Sequence, residues 1–114
     1  MNWLTIESLA DLNKAVEDST MEEVKAVLIF KHSTRCSISS TAKFRLESKW
    51  ENNENIPTYY LDLIQYRTIS NQIASDFDVY HESPQVIVLQ NGKCVYHASH
   101  LSISVNDILD AIKN

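Results

Sequence analysis

The sequence predicts an α/β fold in which a central mixed sheet is flanked by helices, in the order β-α-β-α-β-α-β-β-α. Three observations carry this. Ala26 to Phe30 and Val86 to Leu89 are short apolar runs without polar alternation, the pattern of strands covered on both faces. Around them lie segments with apolar residues at three- and four-residue steps, the period of a helix packed on one side. Asn91-Gly92 separates Val86 to Leu89 from Cys94-Val95-Tyr96-His97, the strongest short-range signal for a hairpin.

Taken in order, Trp3-Leu4-Thr5 is short enough for an edge strand, and Thr5 or Ser8 can cap the helix that follows. From Ser8 to Asp18, Leu9, Leu12 and Val16 recur on one face while Asp11, Lys14 and Glu17 take the other, which predicts an amphipathic helix. Thr20 to Glu23 connects it to the strand Ala26 to Phe30. After the polar stretch Lys31 to Arg35, a second helix is predicted to open at Cys36, with Ile38, Ala42, Leu46 and Trp50 as its apolar stripe. Glu51 to Asn55 is a polar loop. Pro57 to Asp62 reads as a strand, with Pro57 at its entry, where no ladder hydrogen bond is lost. Ile69, Ile73, Ala74 and Phe77 mark a third helix. Ser104-Val105-Asn106-Asp107 is a capping-box-like start for a last one, whose apolar face is Val105, Ile108, Leu109 and Ile112.

No linker, repeat or low-complexity stretch interrupts this order, so residues 1–114 are read as one domain, long enough for a single modest core. With 15 acidic against 10 basic residues the net charge is -5, which argues against a nucleic-acid partner. No apolar run is long enough to cross a bilayer, and the N-terminus lacks the regions of a signal peptide, so no membrane partner and a cytoplasmic location are expected. Cys36 and Cys94 are far apart and form no CxxC pair, which argues against a structural disulfide.

Cys36 carries the chemistry. A cysteine that follows a short polar turn after a buried strand and opens a helix receives the partial positive charge of the helix N-terminus, which favours thiolate over thiol. Arg35 stands beside it, and Lys31, His32 and Lys43 are further candidate cations. The competing role for a lone cysteine is that of a small buried hydrophobe. Strands separated by helices imply parallel pairing with right-handed crossovers, with an antiparallel edge added by the hairpin. That arrangement is the thioredoxin fold.

More narrowly, Cys36-Ser37-Ile38-Ser39, His81-Glu82-Ser83-Pro84-Gln85, and Asn91-Gly92-Lys93 through Tyr96-His97-Ala98-Ser99-His100 resemble the monothiol bacilliredoxins, over essentially the whole chain. The usual active site of that family reads Thr-Cys-Pro-Ile-Ser, against Arg35-Cys36-Ser37-Ile38-Ser39 here. Arg35 adds a positive charge beside the thiol, and Ser37 loses the pre-set dihedral of a proline in the first helical turn. The resemblance implies a monothiol thiol-disulfide oxidoreductase that removes bacillithiol from S-bacillithiolated client proteins. Its nucleophile would be Cys36, with no tightly bound cofactor and bacillithiol as co-substrate. Ser39 would stand where dithiol relatives hold a resolving cysteine, so another thiol, a low-molecular-weight one or Cys94, must resolve the Cys36 mixed disulfide. The competing role for Ser39 is a first-turn serine bonded to a backbone group.

The resemblance also implies a cis Ser83-Pro84 bond facing the nucleophile, its backbone able to pair with a bound disulfide partner as an edge strand does. Without it, Pro84 reads as a trans proline opening an edge strand. Folding the hairpin about Asn91-Gly92 returns Ser99 and His100 to the level of Pro84, which makes His100 a candidate substrate-contacting group or, alternatively, a surface histidine. The same geometry puts Cys94 well over about 15 Å from Pro84 along the sheet, too far for a disulfide with Cys36. His97 and His100 are accompanied by no acid or CxxC, so no metal site is predicted. The expected site is thus catalytic Cys36 with Arg35, Ser37, Ile38, Ser39, Ser83, Pro84 and His100 around it. The alternatives are a non-enzymatic thioredoxin-like binding or stress module and a general thioredoxin- or glutaredoxin-like disulfide reductase.

Overall fold

In a computed structural model, which describes residues 1–51, 53 and 55–112, the chain runs β1 (Trp3–Thr5), α1 (Leu9–Asp18), β2 (Val27–His32), α2 (Ser37–Lys49), β3 (Thr58–Asp62), α3 (Arg67–Phe77), β4 (Gln85–Gln90), β5 (Lys93–Ser99) and α4 (Val105–Ala111). A 3-10 turn, His100–Ser102, joins β5 to α4. Of the loop expected over Glu51 to Asn55, Asn52 and Glu54 lie outside the described residues, as do Lys113 and Asn114 of the expected 1–114 domain.

The strands form one sheet in the order β1-β3-β2-β4-β5. β2 is buried at all six positions because it is paired on both edges and covered on both faces. Its side chains alternate between two cores, as the strand period requires. Val27 and Ile29 pack with Leu12 and Ala15 of α1, Ile69 and Ile73 of α3, and Ile87 and Leu89 of β4. Leu28 and Phe30 pack on the opposite side with Ala42 and Leu46 of α2, Val86 and Val88 of β4, and Ile108 of α4.

Two expectations about the sheet are corrected. β2 does not stop at Phe30 but continues through Lys31 and His32, which pair with Leu61 and Asp62 of β3. And the switch to antiparallel pairing comes one strand earlier than the hairpin. β1 and β2 run parallel to β3, whereas β4 runs antiparallel to β2, with Lys31 opposite Gln85 and Val27 opposite Leu89. Strand and helix alternation does not fix the end of the sheet at which a helix delivers the chain. Here α3 closes on Asp78 in a left-handed conformation (φ 52°), and the connection enters β4 at the end where β2 finishes.

The inward stripe of α2 is also shifted. Its buried residues are Ser39, Ala42 and Leu46, while Ile38 is 47% exposed. Successive helical residues are rotated by about 100°, so a stripe centred on Ala42 and Leu46 takes in Ser39 and leaves Ile38 at its rim.

At the far end of the sheet, Asn91 (φ 53°) and Gly92 (φ 75°) are both left-handed, as a two-residue hairpin turn of this kind requires. The turn is fastened to the end of α1. Asn91 N–H donates to the Ser19 carbonyl at 2.9 Å, and Gly92 N–H donates to Ser19 Oγ at 2.9 Å. A Cβ on Gly92 would come no closer than 3.8 Å to Val16, so the glycine is needed for its dihedral and not for space. Gly92→Ala is therefore expected to lower unfolding stability in urea by about 1 kcal/mol, the cost of a left-handed residue that carries a Cβ. The alkylation rate of Cys36, at the other end of β2, should stay at the wild-type value.

Candidate functional site

The site is built at the end of β2. Ser33 to Cys36 form a turn closed by Cys36 N–H donating to the Ser33 carbonyl at 3.2 Å. Cys36 is then the N-cap of α2, with extended backbone (φ -111°, ψ 120°), and its carbonyl accepts the first helical bond from Ser40 N–H at 3.1 Å. Its side chain caps nothing and is half-exposed, and the first turn of α2 contains no acidic residue. The amides of Ser37, Ile38 and Ser39 have no acceptor within the helix, so the sulfur lies beside unspent N–H donors and the positive end of the helix.

Ser39 holds this turn from beneath. It is fully buried, and its Oγ lies 2.6 Å from His32 Nδ1 and accepts from Ser33 N–H at 3.0 Å. With one lone pair taken by Ser33, the hydroxyl proton is free to donate to Nδ1 of a neutral His32. The imidazole lies between Phe30 and Tyr60, with centroids 5.6 and 5.4 Å away. Burial holds its pKa below the ordinary value; Lys43 acts in the same direction, and Asp62 and Glu47 oppose it. The hydroxyl expected near substrate is thus committed to two internal bonds, and the strand is tied to the helix through it.

Of the cations expected around the thiol, three are turned to other partners. His32 is the neutral partner of Ser39. Lys31 points to the opposite face of the sheet, where its Nζ donates to the Ser70 carbonyl at 3.1 Å. Lys43 pairs with Glu47 at 3.0 Å. The strand period explains the first two, since residues at the end of a doubly covered strand are drawn into its two cores. Arg35 remains in the turn itself, exposed beside Cys36.

The second group lies at the same end of the sheet because β4 begins there. The Ser83-Pro84 peptide bond is cis, and the Pro84 carbonyl accepts from His100 N–H at 2.9 Å. Gln85 pairs with Ser99, whose hydroxyl donates to the Glu82 carboxylate. The backbone of His100 thus meets Pro84 while its ring is exposed; its φ of 55° opens the 3-10 turn, which packs against α2. Ser83 Oγ is buried without a hydrogen-bond partner among the described residues. Ile38, Tyr80 and Leu101, in the segments around this end, are all exposed.

Cys94 is remote from all of this. It pairs with Leu89 near the hairpin turn, five positions before Ser99, or about 16 Å along a strand. Burial raises the pKa of its thiol, opposed by its contact with the Tyr96 carbonyl at 3.5 Å. Sequence reasoning took His32 and Lys31 as cations near the thiol and missed their contacts with Ser39 and with the half-buried His81. The signal was present: an apolar strand covered on both faces that ends in Lys-His must find partners for both.

Known proteins can be set beside this geometry. The family described as "Monothiol bacilliredoxin BrxC" matches residues 4–108. A solved structure described as a proposed oxidoreductase with a thioredoxin fold is 31% identical, with a TM-score of 0.80 over 96% of this chain and 92% of its own. Two more distant structures show the fold alone. A mutant thioredoxin from Halobacterium salinarum NRC-1 is 17% identical, with a TM-score of 0.68 over 96% of this chain and 87% of its own. The long form of thioredoxin f from spinach chloroplast is 12% identical, with a TM-score of 0.73 over 96% and 85%. The fold is thus the thioredoxin fold, as the order of elements predicted. Matched from residue 4 to residue 108, the chain belongs to the monothiol bacilliredoxin family and is a thiol-disulfide oxidoreductase.

Proposed function

We propose that the protein removes bacillithiol from client proteins that carry it as a mixed disulfide, in the cytoplasm. The observation that carries the reading is a single half-exposed thiol at a helix start with no second thiol in reach. Cys94 is at the other end of the sheet, and Ser39 occupies the inward position of the first helical turn.

Cys36 thiolate attacks the bacillithiol sulfur of the client disulfide. The S–S bond to the client breaks, the client cysteine leaves as thiolate and takes a proton from solvent, and a Cys36–bacillithiol disulfide forms. A second bacillithiol thiolate then attacks the bacillithiol sulfur of that disulfide, giving bacillithiol disulfide and restoring Cys36 thiolate. Bacillithiol is a co-substrate throughout, and no tightly bound cofactor takes part. Ser37 and Ile38 offer the helix-start amides. Arg35 adds positive charge beside the sulfur. Ser83 and Pro84 form the opposing wall for the client backbone, with His100 at its margin. Ser39 and His32 keep the Cys36 turn in place.

Mixing a bacillithiolated client with the wild type and weighing both proteins tests this. The client should lose the bacillithiol mass and Cys36 should gain it; Cys36→Ser should take up none, and Cys94→Ser should react at the wild-type rate. Transfer by Cys36→Ser would sink the proposal. Ser39→Ala leaves the Ser33 amide and His32 Nδ1 without their partner, so unfolding stability should fall by about 1–3 kcal/mol and transfer should slow.

The lowered pKa of His32 also has a sign. Below its ordinary value of 6.5 the unfolded chain binds a proton that the folded protein resists, so stability is complete above pH 6.5 and is lost as pH falls through the lowered value. The Tm of the wild type should therefore drop more between pH 7 and pH 5 than that of His32→Phe. His81 contributes the same sign in both proteins.

A further inference from the structure

Lys31 is fully buried, on a strand whose preceding positions are Val, Leu, Ile and Phe, and among the described residues no carboxylate pairs with it. Removing an ammonium group from water without an anion is costly, and replacing such a charge by an apolar side chain of similar volume is commonly neutral or stabilising. The question is what the buried charge holds.

It holds the segment that leads into Ser83-Pro84. Nζ donates to the Ser70 carbonyl of α3 at 3.1 Å and lies 3.4 Å from Nδ1 of His81; Ser70 Oγ lies 3.3 Å from the same nitrogen. An ammonium has only donors, so Nδ1 must accept and His81 carries its proton on Nε2. Opposite Lys31 in the sheet, Gln85 adds a second hold, its Nε2 donating to the Tyr80 carbonyl at 3.0 Å. Tyr80 and His81 are thereby tied to β2, α3 and β4 at once, and Ser83-Pro84 follows two residues later. No step of thiol exchange at Cys36 uses any of these groups.

We propose that Lys31, acting through His81, is a positioning residue that fixes the Tyr80 to Pro84 segment as the wall on which the extended backbone of a protein disulfide docks, and so governs reaction with protein disulfides and not with small reagents. The inference rests on the reading of Ser83 and Pro84 as the partner wall. The groups that face His81 are Lys31 from β2 and Arg67 from α3, which oppose its protonation, and Glu82 from its own segment, which favours it. Burial is the first cause holding His81 neutral, so the contact is intact at neutral pH. Burial also brings Lys31 down to about 8, which leaves it mostly charged there.

The test compares wild type with Lys31→Met and with His81→Leu, which removes the acceptor from the other side. One readout is amide hydrogen exchange over residues 80–85, which should be faster in both variants. The other is the rate of reduction of a protein mixed disulfide divided by the rate of iodoacetamide alkylation of Cys36, a ratio in which the thiolate fraction cancels. It should fall roughly tenfold in both variants, the scale of loss for a misplaced docking surface. Lys31→Met should unfold at a denaturant concentration no lower than wild type, so that the ratio falls without a loss of stability. A merely structural lysine would lower stability and leave the ratio unchanged. Exchange at the wild-type rate, or an unchanged ratio, would overturn the inference. If the wild type itself transfers no bacillithiol, the proposed substrate fails while the exchange comparison still decides the role of Lys31.

Discussion

The antiparallel pairing of β4 with β2 is the constraint on which the site depends. β2 ends at His32 and passes within four residues to Cys36; β4 begins at Gln85, opposite Lys31, directly after Pro84. Had β4 run parallel, its first residue would have stood beside Val27, and Ser83 and Pro84 would have emerged at the end of the sheet that carries the Asn91-Gly92 hairpin. One register therefore brings Cys36 and the Ser83-Pro84 bond to the same end of the sheet. β5 follows β4 back and adds His100, whose amide bonds to the Pro84 carbonyl.

That register acts through the last two residues of β2. Pairing with β3 as far as His32 and with β4 as far as Lys31 keeps these two residues in strand geometry, so their side chains enter opposite cores. Each core receives a polar group and answers it locally. On the α2 side, His32 meets Ser39, and the Ser33 amide completes the hydroxyl's bonds. On the α3 side, Lys31 meets the Ser70 carbonyl and His81. The two answers fasten different halves of the site, the Cys36 turn and the segment before Pro84. A buried polar network of this kind is stabilising only when its members are satisfied. Among the described residues, Ser83 Oγ and Gln85 Oε1 are buried without a hydrogen-bond partner, one on each side of Pro84.

Most of the architecture was legible because it rests on periodicity and turn chemistry. The two doubly covered runs, the Asn91-Gly92 turn and the caps at Ser8 and Ser104 are local signals, and each falls where expected. Cys36 at a helix start was legible for the same reason. The direction of β4 was not, because it depends on how α3 and the connection after Asp78 cross the sheet, which is a tertiary matter. The inward place of Ser39 was obscured by Ile38, which hydropathy alone assigns to the core, although a stripe centred on Ala42 and Leu46 takes in Ser39 and leaves Ile38 at its rim. The destinations of Lys31 and His32 were hidden by ending β2 at Phe30. Once the strand is given two more residues, alternation sends one to each face.

Ser39 also bears on why this is a one-thiol site. The resemblance to dithiol relatives makes the position of Ser39, inward in the first turn of α2, the one a resolving thiol would take. Here that position is filled by a hydroxyl that cannot form a disulfide and is already shared between His32 and Ser33. In the proposed reaction the disulfide formed in the first exchange would therefore wait for a thiol from outside, and its lifetime would depend on the concentration of that thiol. The half-exposed N-cap position of Cys36 suits the proposed reaction: a thiol from outside has access to it, and the negative charge that would return to Cys36 as it leaves would be received by the unspent amides of the helix start. The same feature that makes the thiol a nucleophile in the first step makes it a leaving group in the second.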